Sequence, residues 1–154
     1  MSGFLFKKTI VSLTGVPANI EEVAFEEPSH ELKTIYIGYE KYLEDIQYYF
    51  SRNKFKKALK GYKQILKQHP DDINAHFYSA LCYYNINQSA KSLEHLDIVL
   101  QHQYDMFRQE GEWYKAQVLY DLGRKKQALL MLDKVIKRND FYASQALEMK
   151  KKMK

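Results

Sequence analysis

Residues 49–65 read YFSRNKFKKALKGYKQI, and the same pattern returns 34 residues later as YYNINQSAKSLEHLDIV at 83–99 and a further 36 residues on as LYDLGRKKQALLMLDKV at 119–135. Each copy has an aromatic or apolar residue, then a turn-forming residue, a small residue and two apolar residues. A period near 34 with two helical segments per unit is typical of stacked helical hairpins. The sequence therefore predicts an all-α protein built from antiparallel helical hairpins.

Apolar residues at spacings of three and four predict seven helices. We expect them at residues 29–51, 55–68, 73–86, 90–101, 106–122, 125–137 and from 141 to the end. Asn53 tolerates the left-handed conformation that ends a helix, and Asn87, Gly123 and Asn139 mark the later turns. Pro70 stops the second helix because proline cannot continue the hydrogen-bond ladder.

Residues 1–28 follow neither a helical nor a strand period, and we expect an irregular N-terminal arm there. Its residues 4–14 are apolar and β-branched, which favours a short extended piece. A lone strand is not stable by itself, so the arm is either disordered, packed on the helical body or paired outside the chain. One hypothesis is that the arm lies on the body or in the groove of a second copy, which would give self-inhibition or a homodimer.

Composition fits one globular domain of 154 residues, with 45% apolar and 28% charged residues. The formal charge of +5 comes from the part after the arm, and a solvated lysine-rich surface is its plainest explanation. The single cysteine, Cys82, excludes an internal disulfide and lies in an apolar helical run, so we expect it to be buried. No apolar run reaches the ~18 residues of a membrane span.

The compartment is not fixed by these features. The cytoplasm is favoured for the chain as it stands, and the alternative is a soluble part of an exported or membrane-anchored protein. The start Met-Ser-Gly is compatible with a native or a non-native N-terminus.

The repeat resembles the tetratricopeptide repeat family over about residues 39–140. Small residues stand where two helices of a hairpin approach each other, and larger residues fill the space between the helices. The small residues are Ala58, Ala80, Ser92, Ala116 and Ala128, and the larger ones are Tyr49, Tyr83 and Leu119. Ile46 departs from the pattern because it is large where Ala80 and Ala116 are small. Tyr104 and Asp140 replace the terminal proline of the second and third repeats.

The resemblance implies a right-handed superhelical solenoid and a division of the chain. We expect an arm at 1–28 and a helical domain at 29–154. Within the domain, repeats would cover about 39–72, 73–106 and 109–140, followed by a capping helix at 141–154.

The resemblance also implies a non-enzymatic scaffold that binds a peptide or a partner helix in a concave groove. Members line this groove with the first helix of each hairpin. The groove residues here would be Leu43, Gln47, Phe50, Phe77, Leu81, Tyr84, Trp113, Gln117, Tyr120 and Asp121. An alternative is that Phe77 and Trp113 are simply core between repeats. Members that clamp a C-terminal carboxylate use Lys, Arg and Asn in the groove, so the residues present here argue against such a clamp.

No catalytic constellation, phosphate loop or cysteine pair is found, so we expect no enzyme activity, no cofactor and no metal site. His95 and His102 lie seven residues apart, but a zinc site needs more ligands, and surface histidines are the simpler interpretation. Lys150–Lys152 lack interleaved aromatics, which makes a nucleic-acid surface the weaker alternative. A further alternative to the peptide-binding scaffold is a soluble fragment of a larger membrane-associated or multiprotein assembly.

Overall fold

The protein is described here by a computed structural model that covers residues 30–102 and 106–153, with backbone alone for 30–39. Seven α-helices occupy these residues. They are α1 (His30–Ser51), α2 (Phe55–Gln68), α3 (Ile73–Asn85), α4 (Ser89–Gln101), α5 (Arg108–Asp121), α6 (Lys125–Arg138) and α7 (Ala143–Lys152). The predicted all-α class is confirmed. The expected arm, the expected first helical residue Ser29 and Tyr104 lie outside the described residues.

Each helix packs on the one before it and the one after it along the chain. The hairpins α1–α2, α3–α4 and α5–α6 therefore stack side by side, and α7 closes the end of the stack on α6. The first helices of neighbouring hairpins, α3 and α5, also contact each other. Among residues 30–102 and 106–153, no helix combines the length and apolarity needed to cross a bilayer.

The turn inside each hairpin is the same in all three repeats. Asn53, Asn87 and Gly123 adopt positive φ angles of 56°, 59° and 71°. The N–H of the next residue then bonds to the carbonyl five positions back, from Lys54 to Tyr49 at 2.8 Å and at the equivalent positions of the other two repeats. This is the bonding of a helix end with a left-handed residue, as the sequence predicted. Asn139 ends α6 in the same left-handed conformation, with φ 55°.

The small residues of the repeat lie at the closest helix–helix contacts, where they are completely or almost completely buried. The contact is direct in the second hairpin, where the Ser92 hydroxyl donates a 2.8 Å hydrogen bond to the carbonyl of Ala80. A larger side chain at these positions would force the two helices apart. The small-residue pattern therefore sets the helix spacing within each hairpin.

Ile46, the exception to that pattern, is accommodated by a glycine on the facing helix. Ile46 is only 3% exposed, and Gly61 of α2 packs against it so closely that an added Cβ would lie 2.6 Å from Ile46 Cδ1. At the equivalent sequence positions of the other repeats the sizes are reversed, with Ala80 and His95 in the second and Ala116 and Met131 in the third. In the first repeat the small residue is therefore on the second helix and the large one on the first, which keeps the two helices close.

Helix α5 begins at Arg108, two residues later than the sequence predicted. Phe107 is the capping residue of α5, and its ring stacks on Phe77 of α3, with centroids 4.3 Å apart and planes at 11°. Burying this ring holds residues 106–107 in a turn. Tertiary packing therefore overrides local helix propensity at this boundary.

Ion pairs connect α5, α6 and α7 at the C-terminal end of the stack. Arg138 reaches back from α6 to the buried carboxylate of Glu112 on α5 at 2.5 Å, and its Nε lies 3.4 Å from Asp140. Lys150 of α7 pairs with Asp133 of α6. Ala146 and Met153 are buried beneath α7. The last helix thus shields the apolar end of the third hairpin.

Candidate partner-binding groove

The surface predicted to bind a partner belongs to the first helices α1, α3 and α5, and we call it the first-helix face. It consists of the ten predicted residues, from Leu43 to Asp121. Two of them, Phe77 and Leu81, are buried in the core and are 4% and 8% exposed. Five are half-buried, namely Leu43, Phe50, Tyr84, Trp113 and Gln117. Three are exposed, namely Gln47, Tyr120 and Asp121.

Phe77 belongs to an aromatic cluster that joins all three hairpins. Its ring stacks on Phe107 and contacts Tyr78 edge-on at 5.4 Å. Tyr78 in turn contacts Phe50 of α1 at 5.3 Å and stacks on Tyr62 of α2 at 5.5 Å. Such pairs add stability beyond their buried area. The alternative interpretation of Phe77 as core between repeats is therefore what its packing supports.

The aromatic residues further along the face keep part of their surface accessible. Trp113 stacks on Tyr142, which precedes α7, with centroids 5.8 Å apart and planes at 15°. Tyr84 contacts Tyr114 of α5 edge-on at 6.2 Å. Tyr120 is 45% exposed. The rings of Tyr84 and Trp113 are thus held by their neighbours, and all three side chains keep part of their surface accessible.

Carboxylates give this end of the face a negative character. Burial raises the pKa of Tyr84, and so does the adjacent Asp121, which also hydrogen-bonds to Tyr84. Burial and then the charge of Glu110 raise the pKa of Tyr114. Both phenols therefore stay protonated and keep a donor at neutral pH. Among residues 40–102 and 106–153, Gln117 Nε2 is a buried donor without a hydrogen-bond acceptor.

Leu43 and Gln47 line a cleft of about 230 Å³ where α1, α2 and α3 meet. Tyr78 and Asn74 of α3 form its other wall. A larger cleft of about 580 Å³ lies among α4, α5 and α6 and involves none of the ten predicted residues. Its lining includes Leu93, Asp97, Lys115, Leu119, Arg124, Gln127, Leu130, Met131 and Lys134.

The predicted groove residues do not include four aromatic residues of this region, namely Tyr78, Phe107, Tyr114 and Tyr142. One signal was available, since Tyr78 and Tyr114 stand at equivalent repeat positions 36 residues apart. Phe107 and Tyr142 lie next to helix starts outside the repeat pattern, and only packing reveals their contacts.

The expectation that the histidines are surface residues is wrong for His76, which is 7% exposed. Its Nε2–H donates to the carbonyl of Pro70 at 2.8 Å. Its Nδ1 lies 2.8 Å from His95 Nδ1, and the tautomers of the two rings decide which of these nitrogens donates. His95 therefore faces His76 across the second hairpin. Within the described part of the chain, no three or more His, Cys, Asp or Glu side chains are grouped as metal ligands.

Two solved structures share this architecture. The TPR2B domain of yeast Sti1, in its pHsp70 complex, aligns with a TM-score of 0.64 at 17% identity and covers 74% of this chain and 94% of that one. The TPR domain of Sgt2 from Aspergillus fumigatus aligns with a TM-score of 0.60 at 19% identity and covers 73% and 76%. These similarities show that the hairpins are tetratricopeptide repeats, a fold whose scaffold families are generally non-enzymatic.

No match to a curated protein was found. A protein-family comparison matches residues 40–152, which is most of the chain, to intraflagellar transport protein 56. The match begins in α1, includes all three hairpins and ends at the last residue of α7. The chain belongs to the intraflagellar transport protein 56 family.

Proposed function

We propose that this protein is a non-enzymatic scaffold that binds a peptide or a partner helix along the first-helix face. The observation that carries the proposal is the row of partly exposed aromatic rings Tyr84, Trp113 and Tyr120. Such rings give a large contact area, and the rings of Tyr84 and Trp113 are already restrained by packing on Tyr114 and Tyr142. Gln117, between Trp113 and Tyr120, is half-buried, and its Nε2 is buried without an acceptor, so a side-chain rotation would be needed to offer this donor to a bound segment.

The charge of the face favours one kind of ligand over another. Yeast Sti1 TPR2B was solved with pHsp70. Here the corresponding face has Leu43, Gln47, Phe77 and Trp113 where a carboxylate clamp needs basic side chains. Glu110 and Asp121 add negative charge. We therefore propose a segment with apolar side chains for the aromatic row and a basic residue near Asp121.

The family supplies the setting of the proposal. The family is named for intraflagellar transport, and a repeat scaffold suits an assembly in which many partners must be held together. We propose that the chain holds a partner during this transport. A fluorescent fusion expressed in flagellated cells should move along the flagellum, and one that stays in the cell body would contradict this setting.

Binding along the face is tested by substituting exposed aromatic residues. A peptide selected from a random library against the whole chain would be titrated against Tyr120→Ala and against Tyr48→Ala as the control. Tyr48 is also an exposed tyrosine of a first helix, but it is not among the face residues. We expect Tyr120→Ala to weaken binding about tenfold or more, as a hot-spot residue does. Equal binding by the two variants, both folded, would contradict the proposal.

Trp113 and Asp121 extend the same test. Trp113→Ala should weaken binding and also lower the melting temperature, because its ring packs on Tyr142. Asp121→Asn should weaken only those selected peptides that carry a basic residue. If neither substitution changes the affinity for the selected peptides, the peptides bind outside the first-helix face.

The division of the chain and its self-association remain proposals. We infer an arm at 1–28, repeats at about 39–72, 73–106 and 109–140, and a capping helix at 141–154. We also propose that the arm mediates a homodimer. The mass in solution of the whole chain, compared with a chain starting at Ser29, tests the dimer. An unchanged mass would exclude it.

A further inference from the structure

One face of the molecule, away from the first-helix face, is strongly basic. Helix α2 contains Lys56, Lys57, Lys60, Lys63 and Lys67 and no acidic residue. All five lysines are exposed, while the apolar side chains of α2 are turned into the core. We call these five residues, together with Lys91 of α4, the lysine face. Four of the five, at positions 56, 60, 63 and 67, form one stripe along the helix that is ~16 Å long.

Tyrosines fix several of these lysines in place. Lys57 Nζ lies 5.3 Å from the centroid of the Tyr49 ring. Lys91 Nζ lies 5.5 Å from the ring of Tyr83, the tyrosine at the equivalent position of the next repeat. Lys63 reaches the same Tyr83 ring from α2, at 5.6 Å. Cation–π attraction thus gathers two ammonium groups from neighbouring repeats over one ring.

Within the part of the chain whose side chains are described, no ion pair neutralises this positive charge. Among residues 40–102 and 106–153, the ion pairs involve Lys115, Arg138 and Lys150 and none of the six lysines of the face. Lys63 contributes to lowering the pKa of His95, which shows that its charge is felt by its neighbours. A concentrated field of one sign attracts a partner of the opposite sign and speeds its association.

Three features indicate which class of negatively charged partner suits the lysine face: a membrane, a nucleic acid or an acidic polypeptide. A membrane-surface helix needs an apolar side to insert, but the apolar side of α2 is buried in the core. Single-stranded nucleic acid needs exposed rings for stacking, but Tyr83 is 5% exposed and lies under Lys63 and Lys91. Arginine, the residue suited to bidentate phosphate contacts, is absent from α2. These observations favour a carboxylate-rich segment over an inserted membrane contact and over stacked single-stranded nucleic acid.

We propose that the lysine face binds an acidic segment of a partner polypeptide, rich in Asp and Glu. This surface is separate from the first-helix face, so the scaffold would hold two partners at once. The apolar segment would lie along α1, α3 and α5, and the acidic one along α2 and the start of α4.

The test uses the whole chain and a fluorescent glutamate peptide of about twelve residues, long enough to span the ~16 Å stripe. The face variant is Lys57→Gln/Lys63→Gln/Lys91→Gln. The matched control, Lys125→Gln/Lys137→Gln/Lys151→Gln, removes the same charge from exposed lysines of α6 and α7. We expect the face variant to weaken binding about tenfold and the control about twofold or less, since each exposed pair contributes little by itself. Melting curves verify that both variants are folded.

A charge-preserving variant and two rival probes complete the design. Lys57→Arg/Lys63→Arg/Lys91→Arg should retain the affinity for the glutamate peptide. Vesicles of phosphatidylserine and phosphatidylcholine and a deoxythymidine oligonucleotide should bind more weakly than the peptide. Equal losses in the face and control variants, or tighter binding of either rival through the same lysines, would overturn the proposal, as would an absence of peptide binding.

Discussion

Gly61 and Ile46 form one complementary contact between α2 and α1. A Cβ on Gly61 would lie 2.6 Å from Ile46 Cδ1 and closer still to Cγ1, and Ile46 is 3% exposed. Glycine inside a helix normally costs stability relative to alanine. At this position the missing side chain is what allows the larger residue on α1.

Gly61→Ala should therefore destabilise the protein by ~1–3 kcal/mol, because Ile46 is branched at Cβ and cannot rotate away freely. In an Ile46→Ala background the same substitution should become neutral or stabilising by up to ~1 kcal/mol through helix propensity. Urea unfolding of the four proteins of this cycle measures the coupling. A Gly61→Ala effect that does not depend on residue 46 would contradict the explanation.

The buried ion pair between Glu112 and Arg138 should be costly to break. Arg138→Met leaves the Glu112 carboxylate, whose side chain is 10% exposed, without its partner at 2.5 Å. We expect a loss of ~2–3 kcal/mol, reduced from the fully buried case because Arg138 is partly solvated. Lys150→Met breaks the surface pair with Asp133 and should cost less than ~1 kcal/mol. Similar losses for both substitutions, measured by urea unfolding, would contradict this ranking.

Stability should fall in acid through His95. Burial, then the charges of His76 and Lys63, lowers the pKa of His95 to about 4 from the usual 6.5. The His95 imidazole therefore binds a proton more tightly in the unfolded chain than in the folded one. Its contribution to the free energy of unfolding is fully present above pH 6.5 and is lost as the pH falls toward 4. Below that pH both states are protonated at His95.

His95→Gln should flatten this part of the stability curve. The pH dependence of urea midpoints for the parent and His95→Gln, with His69→Gln as an exposed control, would show it. An unchanged slope between pH 6.5 and 4 in His95→Gln would mean that other groups carry the acid sensitivity.

Cys82 should resist thiol reagents in the folded protein. The side chain is 0% exposed, and burial raises the pKa of its thiol to about 12. The thiolate is the reactive form, so labelling requires opening of the second hairpin. Reaction with a disulfide reagent should be slow in buffer and fast in urea beyond the unfolding midpoint. Fast labelling of the native protein would contradict the burial of this thiol.

The sequence alone determined the features that depend on local interactions. The turns at Asn53, Asn87 and Gly123 need a residue that tolerates positive φ, and such residues recur at the repeat interval. Ala80 and Ala116 are small at equivalent positions of the second and third hairpins, and in the first hairpin Gly61 packs against Ile46 instead. Because the turn requirement recurs three times along the chain, a single sequence reveals it, and this was enough to predict the all-α fold class.

Tertiary structure alone decided which residues from different helices meet. Gly61 opposite Ile46, His76 beside His95 and Phe107 on Phe77 all join residues 15 to 30 positions apart. Such pairs depend on how each helix is rotated and shifted against its neighbour, and no local pattern encodes that register. The same register buried Phe77 and left Tyr120 exposed, although both occupy first helices.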